Sequence, residues 1–134
     1  MTRTAPPTGT APLVAVRDVQ ASVAFYITCL GFEPVFPASD SYALMRRGDL
    51  MVGFVKASDD AALTATATNA SAQMWMADVA AYYEDVKGRF GDHPDLRPTA
   101  PILRDYGVRE LHIKDPDGFL MFFTDTNILA EGAG

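Results

Sequence analysis

Asp18-Val19-Gln20-Ala21-Ser22-Val23 and Asp78-Val79-Ala80-Ala81-Tyr82-Tyr83 are two versions of one segment, and their comparison decides the fold. At an offset of 60 residues Asp meets Asp, Val meets Val and Ala21 meets Ala81, and the register runs on until Leu30-Gly31 meets Phe90-Gly91. Each copy opens on an Asp placed to cap a helix, whose carboxylate accepts from backbone N–H groups left without partners in the first turn. Each closes on a Gly placed to end one. Val19, Val23, Tyr26 and Leu30 recur at helical spacing, as do Val79, Tyr83, Val86 and Phe90. Each predicted helix therefore carries one apolar stripe and needs a sheet to cover it.

The flanking sequence supplies the strands. Leu13 to Val16 precedes the first helix and Gln73 to Met76 the second. A hairpin follows each helix. Tyr42 to Arg46 turns at Arg47-Gly48-Asp49 into Leu50 to Val55, and Glu110 to Lys114 turns at Asp115-Pro116-Asp117-Gly118 into Phe119 to Thr124. Pro presets one turn dihedral and Gly accepts a positive φ, so the second turn has a mechanical basis. Gly48 and Gly118 are 70 residues apart, which places an insertion of about ten residues in the Pro-rich stretch His93 to Pro101. Short strands at Glu33 to Phe36 and near Ile102-Leu103 complete the order β-α-β-β-β twice. The fold class predicted is α+β, with an arm at 1–10, a first module at 11–57, an exposed linker at 58–70, a second module at 71–126 and a tail at 127–134.

Composition narrows the function classes. The chain has 134 residues, 49% hydrophobic and 21% charged, enough for one well-packed domain. No apolar run spans a membrane, and Met1 to Thr10 has no apolar core of a secretory signal. Cys29 is the single cysteine, so no internal disulfide forms, and a cytoplasmic location is expected. A net charge of −6 without a basic cluster beyond Arg46-Arg47 argues against nucleic acid as a partner.

Several motifs carry a resemblance. Val16-Arg17-Asp18-Val19, Ser22-Val23-Ala24-Phe25-Tyr26, Cys29-Leu30-Gly31-Phe32, Tyr106-Gly107-Val108-Arg109-Glu110 and Asp115-Pro116-Asp117-Gly118, in this order and spacing, resemble the glyoxalase/bleomycin-resistance/extradiol-dioxygenase superfamily, also called the vicinal oxygen chelate fold. The resemblance runs from about Ala11 to Asp125 and implies two βαβββ modules forming a curved mixed-sheet cup. In the superfamily's enzymes four metal ligands line that cup. Counting seven residues back from each capping Asp gives Ala11 and Ser71, and counting four on from each hairpin Gly gives Val52 and Phe122. None is a His, Asp or Glu, and a divalent ion needs oxygen or imidazole donors. The departure implies a metal-free member of the bleomycin-resistance type, with no cofactor, whose modules pair across a homodimer. The Pro6-Pro7 arm resembles extensions that cross to the partner in such dimers, while a disordered tail is the plain alternative.

Strand alternation selects the cup residues. With Ala11 and Ser71 facing the cup, Leu13, Ala15, Gln73 and Trp75 do so too, and Val14, Val16, Met74 and Met76 face the helices. Glu110 and His112, Tyr42 opposite His112 at the offset of 70, and Val52, Phe54, Leu120 and Phe122 complete the wall. Tyr106 is placed to close over a ligand. The ligand-binding candidates are therefore Tyr42, Phe54, Gln73, Trp75, Tyr106, Glu110, His112 and Phe122. Aromatic faces with a few polar groups suit a flat heteroaromatic ligand. Plain readings stand beside these: core packing for Trp75, surface polarity for Glu110 and His112, turn geometry for the hairpin acids, a structural ion pair for Arg109, solvent exposure for His93 and inert burial for Cys29.

The reading that results is metal-independent sequestration of a small aromatic compound, with cationic character suited to an acidic chain and bleomycin-type glycopeptides as the family's best-known ligands. The alternative is a glyoxalase-like, metal-independent lyase or isomerase with Glu110 and His112 as its acid/base pair. A third is an interaction module whose cup holds no small ligand.

Overall fold

The structure is a computed structural model that describes residues 8–126. The Pro6-Pro7 part of the arm and the tail 127–134 lie outside the described residues. The elements are β1 (Leu13–Val16), α1 (Val19–Thr28), β2 (Glu33–Pro34), β3 (Tyr42–Arg47), β4 (Leu50–Lys56), α2 (Asp60–Asn69), β5 (Ser71–Trp75), α3 (Val79–Val86), β6 (Ile102–Leu103), β7 (Arg109–Lys114) and β8 (Leu120–Asp125). They form two four-stranded mixed sheets in the order β1-β4-β3-β2 and β5-β8-β7-β6. In each, the strand before the helix pairs in parallel with the fourth strand and the remaining pairs are antiparallel. The doubled βαβββ module is thus present.

The helix starts follow from the two aspartates. Asp18 accepts from the Ala21 N–H at 3.1 Å and Asp78 from the Ala81 N–H at 3.0 Å. α1 ends as expected: Gly31 takes a φ of 73°, and the Phe32 N–H reaches back to the Tyr26 carbonyl at 2.9 Å. α3 does not. It stops at Val86, with Lys87 as its C-cap, so Gly91 ends no helix, although Phe90 still enters the core. Within α3 the buried tyrosine is Tyr82 rather than the expected Tyr83, which is half-buried.

The stretch read as an exposed linker folds as helix α2. Asp59 caps it through the Ala62 N–H at 2.9 Å, and Leu63 and Thr66 are buried as it packs on β1. Its Ala/Thr-rich sequence has too weak an apolar stripe to announce a helix.

The helical faces of both sheets share one core. Phe25 of α1 meets Phe90 and His93 edge-on, with ring centroids 6.0 and 5.1 Å apart. His93 is consequently half-buried against an aromatic ring, not simply solvated. The Tyr26 hydroxyl donates to Asp115 at 3.0 Å, and the Tyr82 hydroxyl donates to the Leu30 carbonyl at 2.8 Å. No strand of one sheet pairs with a strand of the other among the described residues, and no closed barrel forms. Each sheet is left with an open face, and one chain therefore presents two half-cups.

Candidate functional site

Burial confirms most of the strand faces. Val14, Val16, Met74, Leu111 and Ile113 are in the core, whereas Leu13 and Trp75 are 65% and 55% exposed on the open faces. On the second sheet the register aligns Gln73, Phe122 and His112 in one row across β5, β8 and β7. Trp75, Thr124 and Glu110 form the next row. The rings of His112 and Phe122 meet edge-on with centroids 4.6 Å apart.

Glu110 is the centre of a polar cluster at the rim of that face. Its Oε1 accepts from Arg104 Nε at 2.7 Å and lies 3.2 Å from His112 Nε2, and its Oε2 accepts from the Tyr106 hydroxyl at 2.8 Å. Burial alone would push this carboxyl up, but the hydrogen bonds from Arg104, Tyr106 and His112 outweigh it and hold Glu110 below the ordinary carboxylate range. Arg104 Nη2 also lies 3.4 Å from His112 Nε2. One imidazole nitrogen cannot donate to Glu110 and accept from Arg104 at once, so the tautomer decides which contact holds. Tyr106 bonds to Glu110 yet is 67% exposed, standing over the face rather than packed into it. Arg104 escaped the sequence reading. It follows the two-residue strand β6 and reaches Glu110 because a tight turn with Gly107 at φ 85° folds β6 back on β7. So short a strand leaves no periodic signal.

Two expected cup residues are elsewhere. Val52 and Phe54 are fully buried on the helical face, where Phe54 packs against Tyr26 with ring centroids 4.7 Å apart. The register gives the reason. Leu13 pairs with Gly53 while Gln73 pairs with Phe122, so β4 and β8 correspond at an offset of 69, not 70. A one-residue slip reverses every side chain. The hairpins explain the slip: Arg47 pairs with Leu50 around a two-residue turn, whereas Lys114 pairs with Leu120 around a five-residue loop. Tyr42 does lie on an open face, stacked at 5.8 Å on Phe36, but its counterpart is Glu110 rather than His112 and it belongs to the first sheet. The structure brings Gln73, Trp75, Tyr106, Glu110, His112 and Phe122 together and leaves Tyr42 on the other half-cup.

The corrected register also tests the metal positions. The residue matching Phe122 is Gly53, and a side chain there would collide with Leu13, whose Cδ2 lies 2.6 Å from the place of a Cβ. With Ala11, Ser71, Gly53 and Phe122 at the four positions, the donor set does not fit a divalent ion. Among the described residues no three His, Cys, Asp or Glu side chains gather closely enough to hold one.

The remaining motif residues serve the scaffold. Asp115 Oδ1 accepts from the Asp117 and Phe119 N–H groups, each at 3.0 Å, and shapes the hairpin loop. Arg109 pairs with the buried Asp125 at 3.2 Å, and Asp125 caps α3 through the Val79 N–H at 2.6 Å. Cys29 is buried, which pushes its thiol up. No helix among the described residues is long and apolar enough to cross a membrane.

The chain belongs to the Glyoxalase/Bleomycin resistance protein/Dioxygenase superfamily, whose model matches residues 10–123. Among solved structures it is similar to the bleomycin-binding protein from bleomycin-producing Streptomyces verticillus complexed with copper(II)-bleomycin, with 27% identity, a TM-score of 0.71, and coverage of 93% of this chain and 98% of that one. It is also similar to a bleomycin resistance determinant encoded on the transposon Tn5, with 29% identity, a TM-score of 0.70, and coverage of 87% and 95%. Lactoylglutathione lyase from Agrobacterium tumefaciens, at 16% identity, a TM-score of 0.61 and coverage of 92% and 97%, shares the fold alone. No curated protein sequence matches the chain significantly.

Proposed function

We propose that this protein binds and sequesters a small aromatic compound of the bleomycin type, without a metal of its own and without turning the ligand over. The observation that carries the reading is the open face of the second sheet, where the exposed Trp75 flanks the Gln73, Phe122 and His112 row. Aromatic area there supplies stacking, and the Glu110 cluster supplies orientation. The similar proteins of the bleomycin group support the same ligand class. Metal-assisted chemistry has no place in this reading because the four matching positions offer one neutral hydroxyl at most. Acid/base catalysis by Glu110 and His112 fits the geometry less well. A carboxylate engaged by Arg104 and Tyr106, and less basic for it, is a poor proton acceptor.

A single half-cup is too open to enclose such a ligand, so the reading includes a homodimer in which a second copy closes each face. Leu13, Trp75, Leu103 and Tyr106, all more than half exposed, are the apolar surface it would cover. Trp75 is the only tryptophan, so its fluorescence reports on the cup directly. Titration with bleomycin should change its emission saturably in a protein that sediments as a dimer. An unchanged emission, or a monomer with full affinity, contradicts the respective part of the proposal.

A further inference from the structure

Arg104 stands over the open face of the second sheet. Leu111 and Ile113 point into the core, so alternation turns Glu110 and His112 to the other side of β7. The Arg104 guanidinium contacts both, with Nε 2.7 Å from Glu110 Oε1 and Nη2 3.4 Å from His112 Nε2, and therefore lies on that side too. The two charged partners differ in access: the Arg104 side chain is 37% exposed and that of Glu110 only 6%. Glu110 is also fully engaged, since its second oxygen accepts from the Tyr106 hydroxyl. Asp105, beside them at the turn, is exposed and makes no ion pair with Arg104 among the described residues. The charge open to an incoming molecule at this cluster is the guanidinium.

Its donors are only partly used. A guanidinium has five N–H groups. The contacts above take Nε and one side of Nη2, and Nη1 has no partner among the described residues. No side-chain nitrogen or oxygen sealed from solvent lacks a partner among those residues, so Nη1 is open. The fork is nevertheless held in place by the buried carboxylate and by the turn, where the Arg104 N–H donates to the Val108 carbonyl at 2.8 Å. Donors fixed in advance lose less freedom when a ligand binds.

The fork also lies within reach of the cup's aromatic surface. Glu110 stands in the row that runs through Thr124 to Trp75, whose side is open. Two strand spacings, roughly 10 Å, separate β7 from the strand of Trp75. A flat bicyclic ring stacked on the indole would bring a substituent to Arg104.

We infer that Arg104 sets the specificity of the cup: it selects an aromatic ligand bearing a planar oxygen acceptor, a carboxylate or carboxamide, which the Nη1 side of the guanidinium takes. Glu110 is then the positioning residue for Arg104, not a counter-charge for a cationic ligand. The inference rests on the cup as the binding face, and it reverses the preference for cations that a net charge of −6 suggests. Attraction by scattered surface acids is screened over about 8 Å at physiological salt. A charge-assisted hydrogen bond acts at contact and is roughly twice as strong as a neutral one.

Indole-2-carboxylate, indole-2-carboxamide and 2-(aminomethyl)indole share one ring and differ only in the group offered to Arg104. Side-chain ¹H–¹⁵N shifts of the full chain report on both ends of the site. All three probes should shift the Trp75 indole, and only the carboxylate and carboxamide should shift the Arg104 Nε–H. The carboxylate should bind about tenfold more tightly than the amine, with the carboxamide between them. Arg104→Ala should flatten that order to within about twofold. Because this variant leaves the Glu110 carboxylate without its cation, Arg104→Ala combined with Glu110→Gln removes both charges and should give the same flattened order. Equal affinities in the native chain, tightest binding by the amine, or an order that survives the double variant overturns the inference and leaves the cup reading standing. No saturable Trp75 shift with any probe up to about 5 mM overturns both.

Discussion

Tyr26, on the helix of the first module, donates its hydroxyl proton to Asp115 in the hairpin loop of the second, at 3.0 Å in the buried interior. The same carboxylate accepts two loop N–H groups, so one acid shapes the hairpin and joins the modules. Burial, only partly offset by those hydrogen bonds, raises its pKa from 3.8 to about 6. The folded chain therefore holds this proton more tightly than the unfolded chain does. Asp115 favours folding as pH falls through 6 towards 4 and disfavours it above, by up to about 3 kcal/mol. Urea midpoints at pH 5 and 7.5, compared between the native chain and Asp115→Asn, should show the variant losing this acid-side gain. Parallel pH profiles would contradict the assignment.

Tyr82 and Arg47 close the other end of the module junction. The Tyr82 hydroxyl and Arg47 Nη1 both donate to the Leu30 carbonyl, at 2.8 and 3.3 Å, where α1 has run out of internal donors. Tyr82→Phe should cost about 1 kcal/mol, read as a lowered Tm, with ligand affinity in the cup unchanged.

Gly118 holds the hairpin under helix α2. Its φ is 89°, and an added Cβ would lie 2.8 Å from the Ala67 Cβ. Gly118→Ala meets backbone strain and a collision together, so a loss of about 2–3 kcal/mol is expected. Chemical denaturation measures it, and a neutral effect would show that α2 is not seated as described.

How far the sequence could be read shows at these positions. The capping aspartates, the doubled module and the core faces of β1, β5 and β7 were legible because capping and alternation are local. Val52 and Phe54 were misplaced because hairpin geometry is not: a two-residue turn and a five-residue loop shift the faces by one, and only the strand register reveals it. Arg104 was missed because it reaches Glu110 across a hairpin whose first strand has two residues. Helix α2 was hidden by a sequence with little amphipathic contrast.

The Glu110 cluster separates binding from catalysis. Glu110→Gln keeps the shape of the side chain but removes the charge that anchors Arg104 and Tyr106. Affinity for the cup ligand should fall about threefold to tenfold, with about 1–2 kcal/mol lost in stability. Loss of a measurable turnover in this variant would favour the lyase or isomerase alternative instead.

The central claim is that the cup binds its ligand through aromatic and polar side chains alone. Calorimetric titration of metal-free bleomycin into the full chain, in the presence of a chelator, tests it most directly. Saturable binding is predicted to persist in chelator and to weaken by about thirtyfold or more in Trp75→Ala. No binding, binding that requires an added divalent ion, or binding indifferent to Trp75 would contradict it.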